Sequence, residues 1–316
     1  MVPRSPVFVV LNAGGGADDS VAVRERIVAA LSSAQRRHVI FESADGQDLP
    51  QLAADAVARA VAEDGIVAAV GGDGTLNTVA QAVLGSGRPF GVLPQGTFNY
   101  FARAHGLPSE PEAAVATWLA GSVKPVQVGL INEHAFLVNA SLGLYPRVLA
   151  AREEDNRVYG RRRIVALWSA LRTLWNQSHV LRLQLEADGK VLRVRTPTLF
   201  VGNNELQLEQ LGFDEREAVQ QQGRLAAITL RPVGAAAMVW LLLRAALGDL
   251  GRAGPVYSRA VRSLVVRAQR GPENQAMQVA YDGELRWLQA PLRFGVSPRA
   301  LPLLVPPPGA AAQGAA

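Results

Sequence analysis

The side chains best suited to chemistry in this chain sit in and around two glycine-bearing loops. The first is Val70-Gly71-Gly72-Asp73-Gly74-Thr75-Leu76-Asn77, where the apolar run GIVAAV (65–70) meets a segment of helical spacing. Glycines let a backbone approach a bulky anion closely, and free amides at a helix start favour negative charge, so the loop suits phosphate groups. A lone carboxylate facing phosphates needs a cation between them, which makes Asp73 the candidate magnesium ligand. Thr75 and Asn77 add neutral hydrogen-bonding groups at the same rim. The competing reading is a tight turn with an aspartate cap. The second loop, Pro94-Gln95-Gly96-Thr97-Phe98-Asn99, offers Gly96 for close approach and Thr97 and Asn99 for hydrogen bonds. By itself it fits an ordinary turn equally well. A third, Asn12-Ala13-Gly14-Gly15-Gly16, is explained by flexibility alone. Far downstream, Asp282-Gly283-Glu284 reads locally as a hairpin turn.

The elements that must position these loops follow from periodicity. Short apolar runs at 6–11, 38–41, 65–70 and 89–93 read as buried strands, and segments 18–33, 49–63, 76–84, 101–105 and 111–120 have helical spacing. Strands alternating with helices predict a doubly wound parallel α/β domain over residues 1–127. Ligands of such sheets bind outside the carboxyl ends of the strands, where all three loops fall. From 128 to 305 the pattern changes to strands separated by turns: 126–130, 135–141, 180–186, 191–194, 197–202, 224–230, 263–268, 277–282 and 292–296. These predict a mostly antiparallel, β-sandwich-like domain, interrupted by helices at 158–177 and 235–247, with 296–304 a candidate for return to the first sheet. Residues 306–316 (PPPGAAAQGAA) read as a disordered tail.

Composition removes several classes. There are no cysteines, so disulfide scaffolds, thiolate zinc sites and thiol catalysis are out. Nothing at the start reads as a secretory leader, and a reducing cytoplasm is the expected compartment. Basic residues outnumber acidic ones 32 to 27, yet only Lys124 and Lys190 are lysines, and neither stands in a P-loop or protein-kinase setting. The positive balance suits an anionic partner. No nucleic-acid-binding module is recognisable, and His38, His105, His134 and His179 have no metal-ligand spacing. The most apolar helical segment, 235–247, is too short to cross a bilayer.

Taken together, GGDGTLN (71–77), LPQGTFN (93–99) and an opening strand that ends in Asn12 resemble the diacylglycerol kinase catalytic-domain family, which includes bacterial diacylglycerol kinases, YegS-type lipid kinases, sphingosine kinases and ceramide kinases. The resemblance runs from Val7 to about Val305. GGDGT is shared with NAD kinases and phosphofructokinases, and the segment Gly91-Val92-Leu93-Pro94-Gln95-Gly96-Thr97-Phe98-Asn99 separates lipid kinases from them. The resemblance implies a nucleotide-binding α/β domain, a β-rich lipid-substrate domain, and transfer of the γ-phosphate of ATP, with Mg2+, to a lipid hydroxyl. Diacylglycerol is the default acceptor. Nucleotide contacts would fall on Asn12, Ser43, Gly71, Gly72, Asp73, Gly74, Thr75 and Thr97, with Asn77, Gly96 and Asn99 at the same rim. Glu284 would be the proton acceptor and Asp282 would stand near the nucleotide. A carboxylate in reach of a hydroxyl can take its proton during transfer.

Three departures stand out. Tyr100 replaces the family's aspartate after Gly-Thr-x-Asn. Gln222-Gly223 replaces an Asp-Gly pair linked to an accessory magnesium, and 204–211 (NELQLEQL) replaces a glycine-rich stretch after Val201-Gly202-Asn203. The segment 159–177 gathers Ile164, Leu167, Trp168, Leu171, Leu174 and Trp175 on one helical face beside Arg161, Arg162, Arg163 and Arg172. It reads first as a helix packed on the β domain, and second as an interfacial helix giving peripheral contact with an anionic membrane surface. Two alternatives to a lipid kinase stay open: a kinase for a soluble acceptor, as in NAD kinase, and a nucleotide- or lipid-binding pseudokinase.

Overall fold

A computed structural model describes residues 5–13, 17–44, 48–144, 146, 180–272 and 274–307. The segment 159–177, residues 14–16 of the third loop and residues 308–316 lie outside the described residues. The chain forms two compact units, one of residues 1–128 with 298–316, the other of residues 129–297.

In the first unit, β1 (Val7–Asn12) and β3 (Ile66–Gly71) are near-continuous apolar runs because both their faces are covered. With β2 (His38–Ser43), β4 (Phe90–Pro94), β5 (Ser122–Val126) and a late strand, β18 (Leu301–Val305), they form one sheet in the order β2-β1-β3-β4-β18-β5. All neighbours are parallel except β18 and β5. The helices α1 (Ala17–Ser33), α2 (Leu49–Ala62), α3 (Asp73–Val83), α4 (Tyr100–Ala104) and α5 (Pro111–Ala120) connect the strands. The alanines Ala53, Ala56 and Ala60 of α2 are fully buried, and so small a side chain lets the helix lie close to the sheet. The chain steps from β1 outward to β2, then back across to β3. The switch point is therefore between β1 and β3, where an open α/β sheet leaves a crevice for a ligand.

The second unit is two six-stranded antiparallel sheets. One has β6 (Gly129–Ile131), β7 (His134–Phe136), β9 (Leu181–Ala187), β10 (Lys190–Thr196), β14 (Ser263–Ala268) and β17 (Leu292–Val296), in the order β10-β9-β14-β17-β6-β7. The other has β8 (Asn139–Gly143), β11 (Thr198–Gly202), β12 (Leu225–Leu230), β13 (Val256–Val261), β15 (Ala276–Tyr281) and β16 (Glu284–Gln289), in the order β13-β12-β11-β8-β15-β16. Inward residues of both, among them Leu183, Val266 and Phe294 from the first and Leu142, Val201 and Val279 from the second, share one core, so the sheets form a sandwich. Three helices, α6 (Glu205–Gln210), α7 (Arg216–Gln222) and α8 (Ala235–Ala246), supply two satellite clusters around Leu208 and Leu241.

Several expected boundaries move. The single strand read at 126–130 is the end of β5 and the start of β6, and that at 135–141 is β7 and β8, broken at Leu137 and Val138. The helix expected from residue 76 begins at Asp73, inside the glycine loop. The strands β13 and β16 and the helices α6 and α7 have no counterpart in the expectation. Among the described residues, no helix is long and apolar enough to cross a membrane.

One histidine acquires a physical role. His105 packs edge-on to Phe101 with centroids 4.9 Å apart, and its Nδ1 is buried with no hydrogen-bond partner among the described residues. Burial, and secondarily the Lys124 charge, lowers its pKa from 6.5 to about 4. The unfolded chain therefore takes up a proton near pH 6.5 that the folded chain refuses until about pH 4. Stability is full above the unfolded value and falls as the pH drops through this window, by roughly 3 kcal/mol for a shift of this size. Urea unfolding of the wild type should show this loss between pH 7 and 4, and His105→Leu should flatten it.

Candidate functional site

In the first unit the sequence-predicted residues converge at the carboxyl ends of β1, β2, β3 and β4. Asn12 ends β1 and donates from Nδ2 to Oγ1 of Thr75 at 2.9 Å, tying the strand to the glycine loop across the switch point. Gln95 N–H bonds to the Gly71 carbonyl at 2.8 Å, so the β3–β4 ladder carries on into both loops. There the backbones come into contact through glycine. A Cβ on Gly96 would stand 3.0 Å from the Gly72 Cα and 2.8 Å from Oδ1 of Asn99, and one on Gly71 would stand 2.6 Å from the Thr75 side chain. No other residue fits either position without moving its neighbours.

Asn99 closes the second loop on itself. It sits in the left-handed region (φ 48°), accepts from the Gly96 N–H at 2.9 Å and donates back to the Gly96 carbonyl at 2.9 Å. Thr97 and Phe98 are left exposed at the tip, with Phe98 stacked on Tyr100 at 5.9 Å. The N-cap of α3 is Gly72, which has no side chain to cap the first turn. The amide end of α3 is thereby open to an anion at the switch point. Thr75 and Asn77 are buried within that turn.

Asp73 lies in the same turn and faces α4. Its carboxylate accepts from the backbone amides of Phe101, Tyr100 and Asn99, while Oδ1 is buried with no partner among the described residues. Burial raises its pKa above the ordinary carboxylate value, against the lowering effect of the three amides. Ser43, at the end of β2, is fully buried and directs its hydroxyl to Asp48, which precedes α2.

The remaining predicted residues lie in the second unit, on the turn between β15 and β16. Asp282 and Gly283 both have positive φ (44° and 87°), as the two-residue type I′ hairpin requires. Asp282 is 6% exposed, and its carboxylate receives three backbone amides: Leu137 at 2.6 Å, Val138 at 2.9 Å and Asn139 at 3.0 Å. Those amides belong to the break between β7 and β8, so one side chain replaces the interrupted ladder and anchors the turn. Glu284 begins β16 and points to solvent, paired with Arg286 Nη2 at 3.0 Å. Tyr281, the cross-strand partner of Glu284, hydrogen-bonds Arg286 and stacks on His134 at 5.8 Å. Arg286 escapes the sequence reading because β16 does, while the sequence shows His134 only as lacking metal-ligand spacing and Tyr281 only as part of the strand at 277–282. With β16 recognised, the two-residue spacing of Glu284 and Arg286 puts both on one face.

Comparison with known proteins agrees with this architecture. Residues 6–131 match the family described as the diacylglycerol kinase catalytic domain. A "Probable lipid kinase YegS-like" of Pseudomonas aeruginosa (strain UCBPP-PA14) is 35% identical over 155 residues, which are 48% of this chain and 49% of the relative. The diacylglycerol kinase of Bacillus subtilis (strain 168) is 40% identical over 81 residues, 25% of this chain and 27% of the relative. The chain spans about half the length of the YegS-like relatives it matches. The crystal structure of a diacylglycerol kinase from Bacillus anthracis str. Sterne superposes with a TM-score of 0.71 at 20% identity, covering 96% of this chain and 97% of that one. The resemblance to the diacylglycerol kinase catalytic-domain family therefore holds, and the two-unit fold is that of diacylglycerol kinases.

Two substitutions probe the geometry. Gly96→Ala should cost about 1–3 kcal/mol, because the new methyl meets backbone on one side and the Asn99 clasp on the other. Asp282→Ala leaves three amides without their acceptor and should cost about 3 kcal/mol or more, with Asp282→Asn milder. Urea unfolding measures both. Faster amide exchange at 137–139 should accompany the Asp282 variants, and an unchanged exchange pattern there would refute the anchoring role.

Proposed function

We propose that this protein is a lipid kinase that transfers the γ-phosphate of ATP to a lipid hydroxyl, with diacylglycerol the default acceptor. The observation that carries the reading is the Gly72–Gly96 contact beside the uncapped start of α3, within the residues that match the diacylglycerol kinase catalytic domain. Two loops joined backbone to backbone leave little but amides at their surface, which suits a polyphosphate. In this reading Gly71 to Thr75 and Gly96 to Thr97 cradle the nucleotide, and Asn12 holds Thr75 in register.

The Asp73 carboxylate fits magnesium as a single protein ligand, because its buried Oδ1 has no other partner among the described residues and no group of three acidic or histidine side chains stands there. An ion so placed would take its remaining ligands from phosphate and water, and would supply charge neutralisation on the phosphates. Glu284 then acts as the base. It takes the proton of the acceptor hydroxyl, whose oxygen bonds the γ-phosphorus as the bond to the β-bridging oxygen breaks and ADP departs. Arg286 orients the Glu284 carboxylate, and Asp282 fixes the turn that presents it.

The test is transfer of labelled γ-phosphate from Mg-ATP to diacylglycerol, monoacylglycerol, ceramide, sphingosine and phosphatidylglycerol in mixed micelles, with NAD as the soluble acceptor. Glu284→Gln should lower lipid labelling by roughly 10²–10⁴-fold with nucleotide affinity unchanged. Asp73→Asn should fold but lose the magnesium dependence of nucleotide binding. Labelling of NAD alone would establish a soluble acceptor, and nucleotide binding without transfer to any acceptor would establish a pseudokinase.

A further inference from the structure

The second unit holds a cavity of about 510 Å³ that the proposed reaction leaves unused. It opens at the end of the sandwich where β10 and β13 are the outermost strands of the two sheets. Its size is within the range of small-molecule sites. Leu185, Val194 and Leu264 give it an apolar lining, and Leu192 stands at its mouth, 48% exposed.

The charged residues among its lining are all arginines. Of the four arginines that border it, Arg259 of β13 and Arg231, just beyond β12, bear on the slot, whereas Arg193 and Arg195 of β10 alternate with Val194, which packs on the core, and so lie on the outer face of their sheet. Arg259 is the cross-strand partner of Ala227, which packs against the sandwich core, so an arginine occupies an inner-face position that a closed sandwich fills with an apolar side chain. Tyr257 and Thr229 are the next inner-face pair. Arg231 stacks on the Tyr257 ring at 4.6 Å and is held at the mouth by that contact. Among the described residues, neither Arg231 nor Arg259 forms an ion pair with a carboxylate.

An apolar slot with two guanidinium groups beside it suits a hydrocarbon chain ending in a carboxylate or phosphate. Guanidinium forks match both head groups, and the slot removes the chain from water. The site is also remote from the proposed base. In the sheet order, β12 is three strands from β15, about 14 Å at ordinary strand spacing, and Glu284 lies beyond β15. We propose that this cleft binds a single anionic amphiphile, one acyl chain with its acidic head on the arginines, as a ligand site separate from the reacting end. The proposal does not rest on the kinase reading.

Calorimetric titration of the full chain with decyl phosphate and decanoate, both below micellar concentration, tests it. Each should bind one per chain. Inorganic phosphate, which lacks the chain, and decyl glucoside, which lacks the charge, should bind at least tenfold more weakly. Arg231→Gln with Arg259→Gln should weaken decyl phosphate by about tenfold or more. Leu192→Glu, at an exposed position the fold tolerates, should do the same by repulsion. Glu284→Gln should leave binding unchanged. Equal binding of inorganic phosphate would reduce the site to an arginine patch, and equal binding of decyl glucoside to an apolar slot. Either overturns the proposal, as would binding to phosphatidylglycerol vesicles but not to the monomeric amphiphiles. Loss of binding in Glu284→Gln would put the ligand at the reacting end and overturn it too.

Discussion

The close approach of two backbones at Gly72 and Gly96 is the constraint on which the first unit's chemistry depends. Hydrogen bonding along β3 and β4 brings the strands to their normal separation, and the absence of side chains at these two positions lets the loops beyond them stay in contact. Everything polar at the switch point is arranged around that contact. Asn99 clasps Gly96, Asp73 reaches across to the amides at the start of α4, and Asn12 holds Thr75 from the other side. Side chains that look like ligand donors in the sequence are thus largely engaged in holding the loops in place. The backbone amides are what remains to meet the proposed nucleotide, and the side chains hold the loops that carry them.

The second unit solves a different problem by similar means. A turn that must carry an acidic side chain at the surface needs an anchor below it, and Asp282 supplies one by taking three amides that the gap between β7 and β8 would otherwise leave unsatisfied. Neighbouring acidic residues consequently have opposite fates. Asp282 is committed to backbone, while Glu284, two positions on, is available to solvent and to Arg286. Segment 203–204 joins the same anchorage, since Asn203 and Asn204 donate their amides to the Val138 carbonyl.

The legible parts of the sequence were those with a strong local rule. The runs VFVVLN and IVAAVG could be read as central parallel strands because both their faces are apolar, and GGDGT announced a close approach because glycine has few other reasons to cluster there. The direction a polar side chain takes was not legible. Nothing local says that Asn99 turns inward to Gly96, or that Ser43 turns to Asp48, since either could equally face a ligand. The strands β13 (VYSRAV) and β16 (ELRWLQ) were hidden for a related reason. One carries an arginine on its inner face and the other exposes Trp287 beside charged residues, so neither shows the alternation that marks a half-buried strand. The features hidden with them, the Glu284–Arg286 pair and the arginine cleft, are those where side chains depart from simple burial.

The position of β18 has a consequence for how the molecule is made. It sits between β4 and β5, and among the described residues β5 has no other strand partner, yet 169 residues of the second unit separate it in sequence from the rest of its sheet. As the polypeptide leaves the ribosome, the first unit emerges with an open edge at β4 and an unpaired β5, and must wait while the whole sandwich is synthesised. That sandwich is continuous in sequence and can close as soon as it is out. Translation order therefore favours completion of the β unit first, and the first unit's sheet is sealed only when the strand at 301–305 arrives.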